Sequence, residues 1–325
     1  MSTLTSRALS HPPLEYPQLV PYAPVIQRTD NEVQVGVDPL AALVFRGEGI
    51  GALLTLLNGS QPISAVRRAA RAAGLTKPQV RLVLDALDAA GLLTERGAAA
   101  YTAALAPLQV RLIGAGPLGS QIARLLVASG LGTLYLYDNE PPDPTLYPSG
   151  GVLTARSEAL RSALAETGST IYSVSHWSKP EAAPLDLTIL ACDSPEHDRV
   201  ITDHLLRIDQ PHLVVRCWGN GVSVGPLVLA GQTSCLRCAD LARCDADPQW
   251  PVVLTQLSRL RLQSAPALLT WAASVATAQA LAFLHGELPE SGGATLELSW
   301  PDFVTRLRRW PAHPSCGCGW LSHTE

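Results

Sequence analysis

The sequence predicts an α/β protein in which a parallel-rich sheet, covered by helices on both faces, follows a small module of strands and helices. Three observations support this class. From residue 108 onward, apolar strand-like runs alternate with helical patterns, which favours a parallel sheet. A glycine-rich turn joins the first of these strands to its helix. Before residue 103, three short strand-like runs precede three helical patterns.

The amino-terminal region reads as a winged-helix-like module. Turn-forming residues separate strand-like runs at 24–28, 33–37 and 42–45. Apolar periodicity then predicts helices at 49–58, 63–73 and 77–93, with glycines where each should stop. With 325 residues, 47% of them hydrophobic, the chain can form two domains, expected at 1–102 and 103–325.

The second region carries the pattern of a Rossmann-like half. Strands are expected at 110–116, 131–138 and 185–193, and helices at 118–129 and 157–167. Gly114, Gly116 and Gly119 fit the places where such a turn bends, approaches a phosphate and packs helix on strand. Asp138 ends the next strand, where an acid can accept a ribose hydroxyl bond. The pattern is compatible with a nucleotide site, such as that of a nicotinamide dehydrogenase. It is equally compatible with glycines that only permit close packing of the helix on the strand.

Two cysteine pairs predict a metal site. Cys235 and Cys238 form a C-x-x-C, and Cys316 and Cys318 form a C-x-C near the carboxyl end. Brought together, four thiolates complete a tetrahedral, structural zinc site; taken separately, each pair is also compatible with a redox couple or with chance.

Three further cysteines stand outside the pairs. Cys192 and Cys217 lie in apolar runs and are expected in the core. Cys244 lies in a polar segment, as a loop residue or a catalytic thiol.

Composition narrows the possible partners and locations. The net charge of −4 and the pI of about 6.1 favour neither nucleic acid nor an anionic membrane as partner. We expect no signal peptide and no membrane span, and seven cysteines without an export signal favour a cytoplasmic protein. The apolar helix expected at 266–284 is either core or a dimer face.

The combination of motifs resembles the ThiF/MoeB superfamily, the ubiquitin-activating-enzyme-like adenylyltransferases, over residues 107 to 320. The G-A-G-x-x-G turn, Asp138, Asp193 in "ILACDSPEHDR", and the cysteine pairs entered through "GPLVLAGQTSCLRC" carry the resemblance. It implies that ATP adenylates a peptide or protein carboxyl terminus. The glycine loop and Asp138 would bind the nucleotide, Asp193 would bind magnesium, and Arg156 would stand where the family has a lysine.

One family motif is altered in this sequence. The family's S-N-L-x-R-Q segment falls on "TLYPSG", so that its asparagine becomes Leu146 and its arginine Ser149. No arginine lies between Asp138 and Arg156, so a shifted alignment does not restore one. Because chemistry at a phosphate depends on cations placed at developing charge, the loss implies a degenerate adenylation site.

The amino-terminal module and the tail "HPSCGCGW" resemble a leader-binding subgroup with a PqqD-like recognition element, found in makers of ribosomal peptide natural products. The resemblance implies a precursor leader peptide as ligand, a YcaO-type cyclodehydratase as partner and a homodimer. An extended leader would add a strand to the meander beside the third helix. The contacts expected are Leu43, Val44 and Phe45 on the strand and Arg81, Leu84, Asp85 and Asp88 on the helix, although Phe45 and Leu84 also suit a core.

Three functions follow from these patterns. The leading hypothesis is a leader-binding partner with little or no catalytic activity of its own. The second is an active ATP-dependent adenylyltransferase. The third is a winged helix that binds DNA through Arg67, Arg68 and Arg71, but residues 1–100 hold nine basic and eight acidic residues, a balance of only +1.

Overall fold

The chain forms two compact units, Met1–Ala103 and Ala104–Glu325. The computed structural model describes residues 14–38, 42–95, 104–148, 154–178 and 184–318. Each unit has a hydrophobic core of its own.

The first unit combines a three-stranded antiparallel sheet, three helices and a separate strand pair. Its elements, in chain order, are β1 (Pro17–Leu19), β2 (Val25–Thr29), β3 (Glu32–Val35), β4 (Leu43–Arg46), α1 (Ile50–Leu56), α2 (Ile63–Ala72), α3 (Lys77–Ala89) and β5 (Leu93–Glu95). The sheet has the order β2-β3-β4, and β1 pairs with β5. Among the described residues, β4 is therefore bonded on one side only and forms an edge of its sheet.

Helix α3 is shorter than the sequence pattern indicates. It begins with a capping box in which the Thr76 side chain accepts a hydrogen bond from the Gln79 N–H. It ends at Ala89 rather than at residue 93, because Gly91 adopts φ +66° and the Leu92 N–H returns to the Leu87 carbonyl oxygen. Leu93, the last residue that periodicity assigned to the helix, instead begins β5.

The second unit is built on one eight-stranded sheet. Its elements are β6 (Gln109–Ile113), α4 (Pro117–Ala128), β7 (Thr133–Tyr137), α5 (Arg156–Ala163), β8 (Thr170–Ser173), β9 (Leu187–Leu190), α6 (Arg199–Arg207), β10 (His212–Cys217), β11 (Gly221–Val228), α7 (Leu236–Ala246), α8 (Trp250–Leu257), α9 (Pro266–Leu284), β12 (Ala294–Ser299) and β13 (Arg306–Arg309). The strand order is β13-β12-β11-β10-β9-β6-β7-β8.

Five neighbouring strands of this sheet, from β8 to β10, are parallel, and β11 to β13 extend it antiparallel. The chain reverses direction across the sheet between β6 and β9, since β7 and β8 lie on one side of β6 and β9 and β10 on the other. Parallel sheets bind ligands in the crevice at the carboxyl ends of the strands at such a reversal. The mixed α/β architecture expected from the sequence is therefore confirmed, and it locates a candidate crevice.

Helix α9 packs into the core of this unit. Among the described helices it alone has the length and composition to cross a membrane. One face is nevertheless buried against α4 and the sheet; its buried members are Leu268, Leu269, Ala272, Ala273, Ala276, Thr277, Ala280 and Leu281. This burial is typical of a core helix.

Two histidines of the second unit are buried with neutral rings. The His197 Nε2–H donates to the Val215 carbonyl oxygen and the His212 Nδ1–H to that of Gln210, both at 2.9 Å. Burial lowers the pKa of each ring to about 4.

We expect the second unit to lose stability as the pH falls from about 6.5 to about 4. In that window the unfolded chain binds protons at both histidines and the folded unit does not, so the free energy of unfolding falls by up to about 3 kcal/mol per histidine. Urea unfolding at about pH 7 and about pH 4.5 measures this slope. His212→Gln should remove about half of it; an unchanged slope would contradict the assignment.

Candidate functional site

The glycine turn closes tightly around the end of β6. Gly114 has φ +108°, and a Cβ there would lie 2.3 Å from the Ala191 carbonyl oxygen. A Cβ on Gly119 would lie 2.0 Å from the Gly114 carbonyl oxygen, and one on Gly116 would lie 2.1 Å from Asp193 Oδ1. Each predicted glycine is therefore required by close packing, and Gly116 in addition makes room for a carboxylate.

Asp138 lies at the carboxyl end of β7 and is fixed by the turn. Its Oδ2 accepts the Ala115 N–H at 2.8 Å, and its Oδ1 accepts the Glu140 N–H at 3.0 Å. Burial raises the pKa of Asp138, although these two bonds and the Arg156 guanidinium oppose the rise. The carboxylate is thus held beside the glycine turn, in the position that the sequence predicted for a ribose acid.

Arg156 joins the two predicted acids. It is the first residue of α5, and its N–H donates to the Glu140 carbonyl oxygen at 2.8 Å. Its Nη1 lies 2.6 Å from Asp193 Oδ2 and 3.2 Å from Asp138 Oδ2. Burial alone would lower the pKa of Arg156, but the two carboxylates raise it, so the guanidinium stays charged. The predicted nucleotide and catalytic residues are therefore gathered in one place.

These groups line a cavity of about 360 Å³ at the carboxyl end of the parallel strands. Its size lies in the range of small-molecule sites. Gly114, Asp138, Arg156 and Asp193 form part of its wall, together with Cys192.

Cys192 is half-buried in this wall rather than in the core where the sequence placed it. Burial, with Asp138 and Asp193 nearby, raises the pKa of its thiol to about 12, so it is no nucleophile at neutral pH. Cys217 is buried, as predicted, and Cys244 is half-buried on α7.

Residues 145–148 belong to the segment that the resemblance aligns with the family's asparagine and arginine, and Tyr147 anchors them to the glycine turn. Tyr147 is buried, and its hydroxyl donates to the Ala115 carbonyl oxygen at 2.6 Å. Burial raises the pKa of this phenol to about 12. Leu146 packs against the core, and Ser149 lies outside the described residues. A buried tyrosine thus lies next to the glycine turn. The sequence did not predict this contact, because Tyr147 and Ala115 are far apart in the chain and no local pattern connects them.

Sequence reasoning also missed Arg261. This arginine lies between α8 and α9, yet it lines the cavity, and its Nη2 is 3.2 Å from Glu140 Oε1. Its side chain is 54% exposed. Arg261 lies more than one hundred positions after the glycine turn in the sequence, and no spacing pattern identifies it as a site residue.

The four paired cysteines converge. Cys235 Sγ lies 3.5 Å from Cys316 Sγ and 4.0 Å from Cys238 Sγ, and Cys238 Sγ lies 3.2 Å from Cys318 Sγ. All four sulfurs lie within 4.8 Å of one another. Tetrahedral zinc with Zn–S bonds of about 2.3 Å needs sulfurs roughly 3.8 Å apart. The four thiols can therefore hold a metal ion, and the donor set fits zinc without leaving a position for substrate.

A buried ion network connects the cavity side of the unit to the cysteine site. Glu196, three positions after Asp193, pairs with Arg216 and with Arg199 Nη2 at 2.9 Å. Arg199 Nε reaches Asp240 Oδ2 on α7 at 2.6 Å. Although burial alone would raise it, these arginines hold the pKa of Glu196 below its usual range. The helix that carries Cys238 is thus fixed to the segment that carries Asp193.

The predicted peptide contacts divide into two groups. Phe45 and Leu84 are 8% and 6% exposed and belong to the core of the first unit, so they are not available to a ligand. Their apolar side chains point inward, as the alternative interpretation required. Val44 is exposed on the edge strand β4 and Leu43 is half-buried.

The charged members of that set lie on the exposed face of α3. Arg81 Nε pairs with Asp85 Oδ2 at 3.3 Å, and Asp88 is exposed. Arg81 and Asp85 also line a cavity of about 590 Å³, together with residues that the sequence analysis did not assign to peptide binding. These are Arg67, Arg71, Lys77 and Val80, from α2 and α3.

Comparison with known proteins supports the architecture. The profile of the ThiF family matches residues 87–318. E. coli MccB with ATP is 16% identical with a TM-score of 0.70, over 93% of this chain and 99% of that one, and the same values hold for the microcin C7 biosynthetic enzyme MccB in complex with N-formylated MccA. PaaA is 16% identical with a TM-score of 0.62, over 89% and 98%.

No curated protein sequence matches the chain. At these identities the solved structures establish the fold alone. The family match covers well over half of the chain, and the glycine turn, the strand-end acids and the cysteine pairs described above lie within the matched residues. This protein therefore belongs to the ThiF family.

Proposed function

We propose that this protein is a partner protein in the biosynthesis of ribosomally made, azoline-type peptides. Its first unit binds the leader of the precursor, and the second unit presents the complex to a YcaO-type cyclodehydratase, with the chain acting as a homodimer. The resemblance of the module and tail to the leader-binding subgroup supports the proposal. So does MccB, a microcin C7 biosynthetic enzyme whose similarity covers 93% of this chain.

The observation that carries the proposal is the basic cavity between α2 and α3. Four cations line it against a single carboxylate, in a chain whose net charge is −4. Such a local excess of positive charge attracts an acidic segment and orients it. The edge strand β4, which contacts α3, offers main-chain bonds to an extended peptide. Nucleic acid is disfavoured as the ligand because the net charge of residues 1–100 is only +1.

We expect the double variant Arg71→Glu and Lys77→Glu to weaken leader binding at least tenfold, or about 1.4 kcal/mol, because two of the four positive charges that line the cavity are reversed. Fluorescence polarisation of labelled leaders encoded beside the gene measures the affinity. Arg68→Glu is the matched control, since Arg68 lies on α2 outside the cavity lining.

Two results would contradict this account in different ways. If no leader binds the wild-type protein, leader binding itself is rejected. If leaders bind but the double variant retains full affinity, the peptide site lies elsewhere. Binding of duplex DNA in preference to every leader would replace the peptide with nucleic acid as ligand.

In this proposal the second unit's cavity has little or no adenylation activity. Arg156 is committed to Asp138 and Asp193, so the acid that the family uses for magnesium is already paired with a cation. The family's phosphate arginine has become Ser149. Magnesium would have to displace a charged hydrogen bond of 2.6 Å in order to reach Asp193.

Arg261 favours a second candidate function, ATP-dependent activation of a peptide carboxyl terminus. In that reaction a carboxylate oxygen attacks the α-phosphorus of ATP, an acyl-adenylate forms and pyrophosphate leaves. The glycine turn, Asp138, Asp193 and a second guanidinium line one cavity. Exchange of labelled pyrophosphate into ATP, with magnesium and candidate peptides, tests this function. Absence of exchange by folded, metal-loaded protein would reject it.

A further inference from the structure

The cavity receives a cation from a part of the chain that no motif marks. Arg261 lies in the link between α8 and α9 and faces the same space as Gly114, Asp138 and Asp193. The cavity wall otherwise contains the half-buried Arg156 and the carboxylates of Asp138, Glu140 and Asp193. An anionic ligand entering there would need more positive charge than Arg156 supplies.

The two guanidinium groups differ in how firmly they are held. Arg156 is 15% exposed and bonded to two carboxylates, one of which is buried. Arg261 is 54% exposed; its Nη2 pairs with the half-exposed Glu140 at 3.2 Å, and its Nη1 donates to the carbonyl oxygen of the adjacent Leu260 at 3.2 Å. Exposed ion pairs of this kind contribute about 0–1 kcal/mol. Arg261 can therefore exchange its partner for a ligand group at small cost, whereas Arg156 cannot.

The surrounding chain leaves Arg261 room to turn. Helix α8 has no buried residue, and the neighbouring Leu260 and Leu262 are 44% and 40% exposed. Segments with few buried contacts belong to the least stable parts of a fold and rearrange most readily. The Arg261 side chain can reach into the cavity from its rim without disturbing a packed core.

We propose that Arg261 binds the phosphate chain of a nucleoside triphosphate in this cavity. It would supply, from the link between α8 and α9, the cation that the family places at the position of Ser149. A planar guanidinium that already donates to a carboxylate suits phosphate oxygens, to which it can donate in a bidentate manner. The inference rests on nucleotide occupancy of the cavity, which the second candidate function requires and leader binding does not.

Calorimetric titration of the full-length protein with ATP and with AMP, both with magnesium, tests the inference. We expect Arg261→Ala to weaken ATP binding at least tenfold and AMP binding less than about twofold, since only ATP carries the β- and γ-phosphates. Arg261→Lys should retain an intermediate affinity because it keeps the charge without the fork. Arg259→Ala is the matched control, an exposed arginine of the same link that does not line the cavity.

Three results would overturn the inference. They are an Arg261→Ala variant that binds ATP as tightly as wild type, an equal loss for AMP and ATP, and a wild-type protein that binds neither. Leader titration of the same samples separates these outcomes from the proposed peptide function. A protein that binds leaders but no nucleotide keeps the first proposal and rejects this one.

Discussion

Cys235→Ser is expected to destabilise the second unit by several kcal/mol and to abolish binding of about one metal ion per chain. The four sulfurs lie within 4.8 Å of one another, and burial raises the pKa of the Cys235 thiol, so a bound metal ion would stabilise its thiolate within the fold. In isolated zinc-finger peptides the ion contributes about 10–16 kcal/mol. Thermal unfolding with and without a chelator, beside elemental analysis, measures the effect.

Cys244→Ser is the matched control for this experiment. Cys244 lies on α7, the helix that begins directly after Cys235, but outside the cluster, and its substitution should leave the metal content unchanged and the stability nearly so. Leader affinity should also survive, because the peptide site is proposed in the other unit. Metal-free protein with the full stability of the loaded protein would refute a structural metal.

Arg156→Ala is expected to lower the free energy of unfolding by about 3–5 kcal/mol, because it leaves the carboxylates of Asp138 and Asp193 facing each other without their shared cation. Arg161→Ala on the same helix is the matched control: its pair with Glu158 is about 40% exposed, and its loss should cost less than about 1 kcal/mol. Urea unfolding of both variants at about pH 7 measures the difference.

The pH dependence provides an independent check of this prediction. Without Arg156, the pKa of Asp138, which burial already raises, should rise further. A group with a raised folded pKa destabilises the fold only while it is ionised. The loss in free energy of unfolding caused by Arg156→Ala should therefore become smaller as the pH falls through that pKa. A loss that is constant with pH would mean that Arg156 acts by packing alone.

The sequence predicted those parts of the fold that local patterns determine. The glycine turn, the strand-end acids and the cysteine spacings each reflect a backbone or ligand requirement within a few residues, and the structure brings each set together. Helix α3 shows the limit: apolar periodicity continues to residue 93, but Gly91 ends the helix earlier. The pairing of β1 with β5 was not predicted, because each strand is only three residues long and the two lie more than seventy positions apart.

The candidate site was likewise predictable only in part. Gly114 and Asp138 follow from motif spacing, and Asp193 and Arg156 follow from the resemblance to the ThiF/MoeB superfamily. Arg261 and Tyr147 do not, because each acts through a partner that only the fold brings near. Phe45 and Leu84 show the opposite error, since an apolar residue on a strand or helix suits a binding groove as well as a core, and burial decides between them.

A metal ion held by the four thiols would tie Cys235 to Cys316 and close a loop of about eighty residues from α7 to β13, with Arg261 about a third of the way along it. The entropy of closing such a loop grows only logarithmically with length, about 0.6 kcal/mol for each doubling. Insertions or deletions in the exposed stretch after α8 should therefore be tolerated energetically while its two ends stay fixed. This permits the link to change length, and thereby the reach of its arginine, without remaking the sheet.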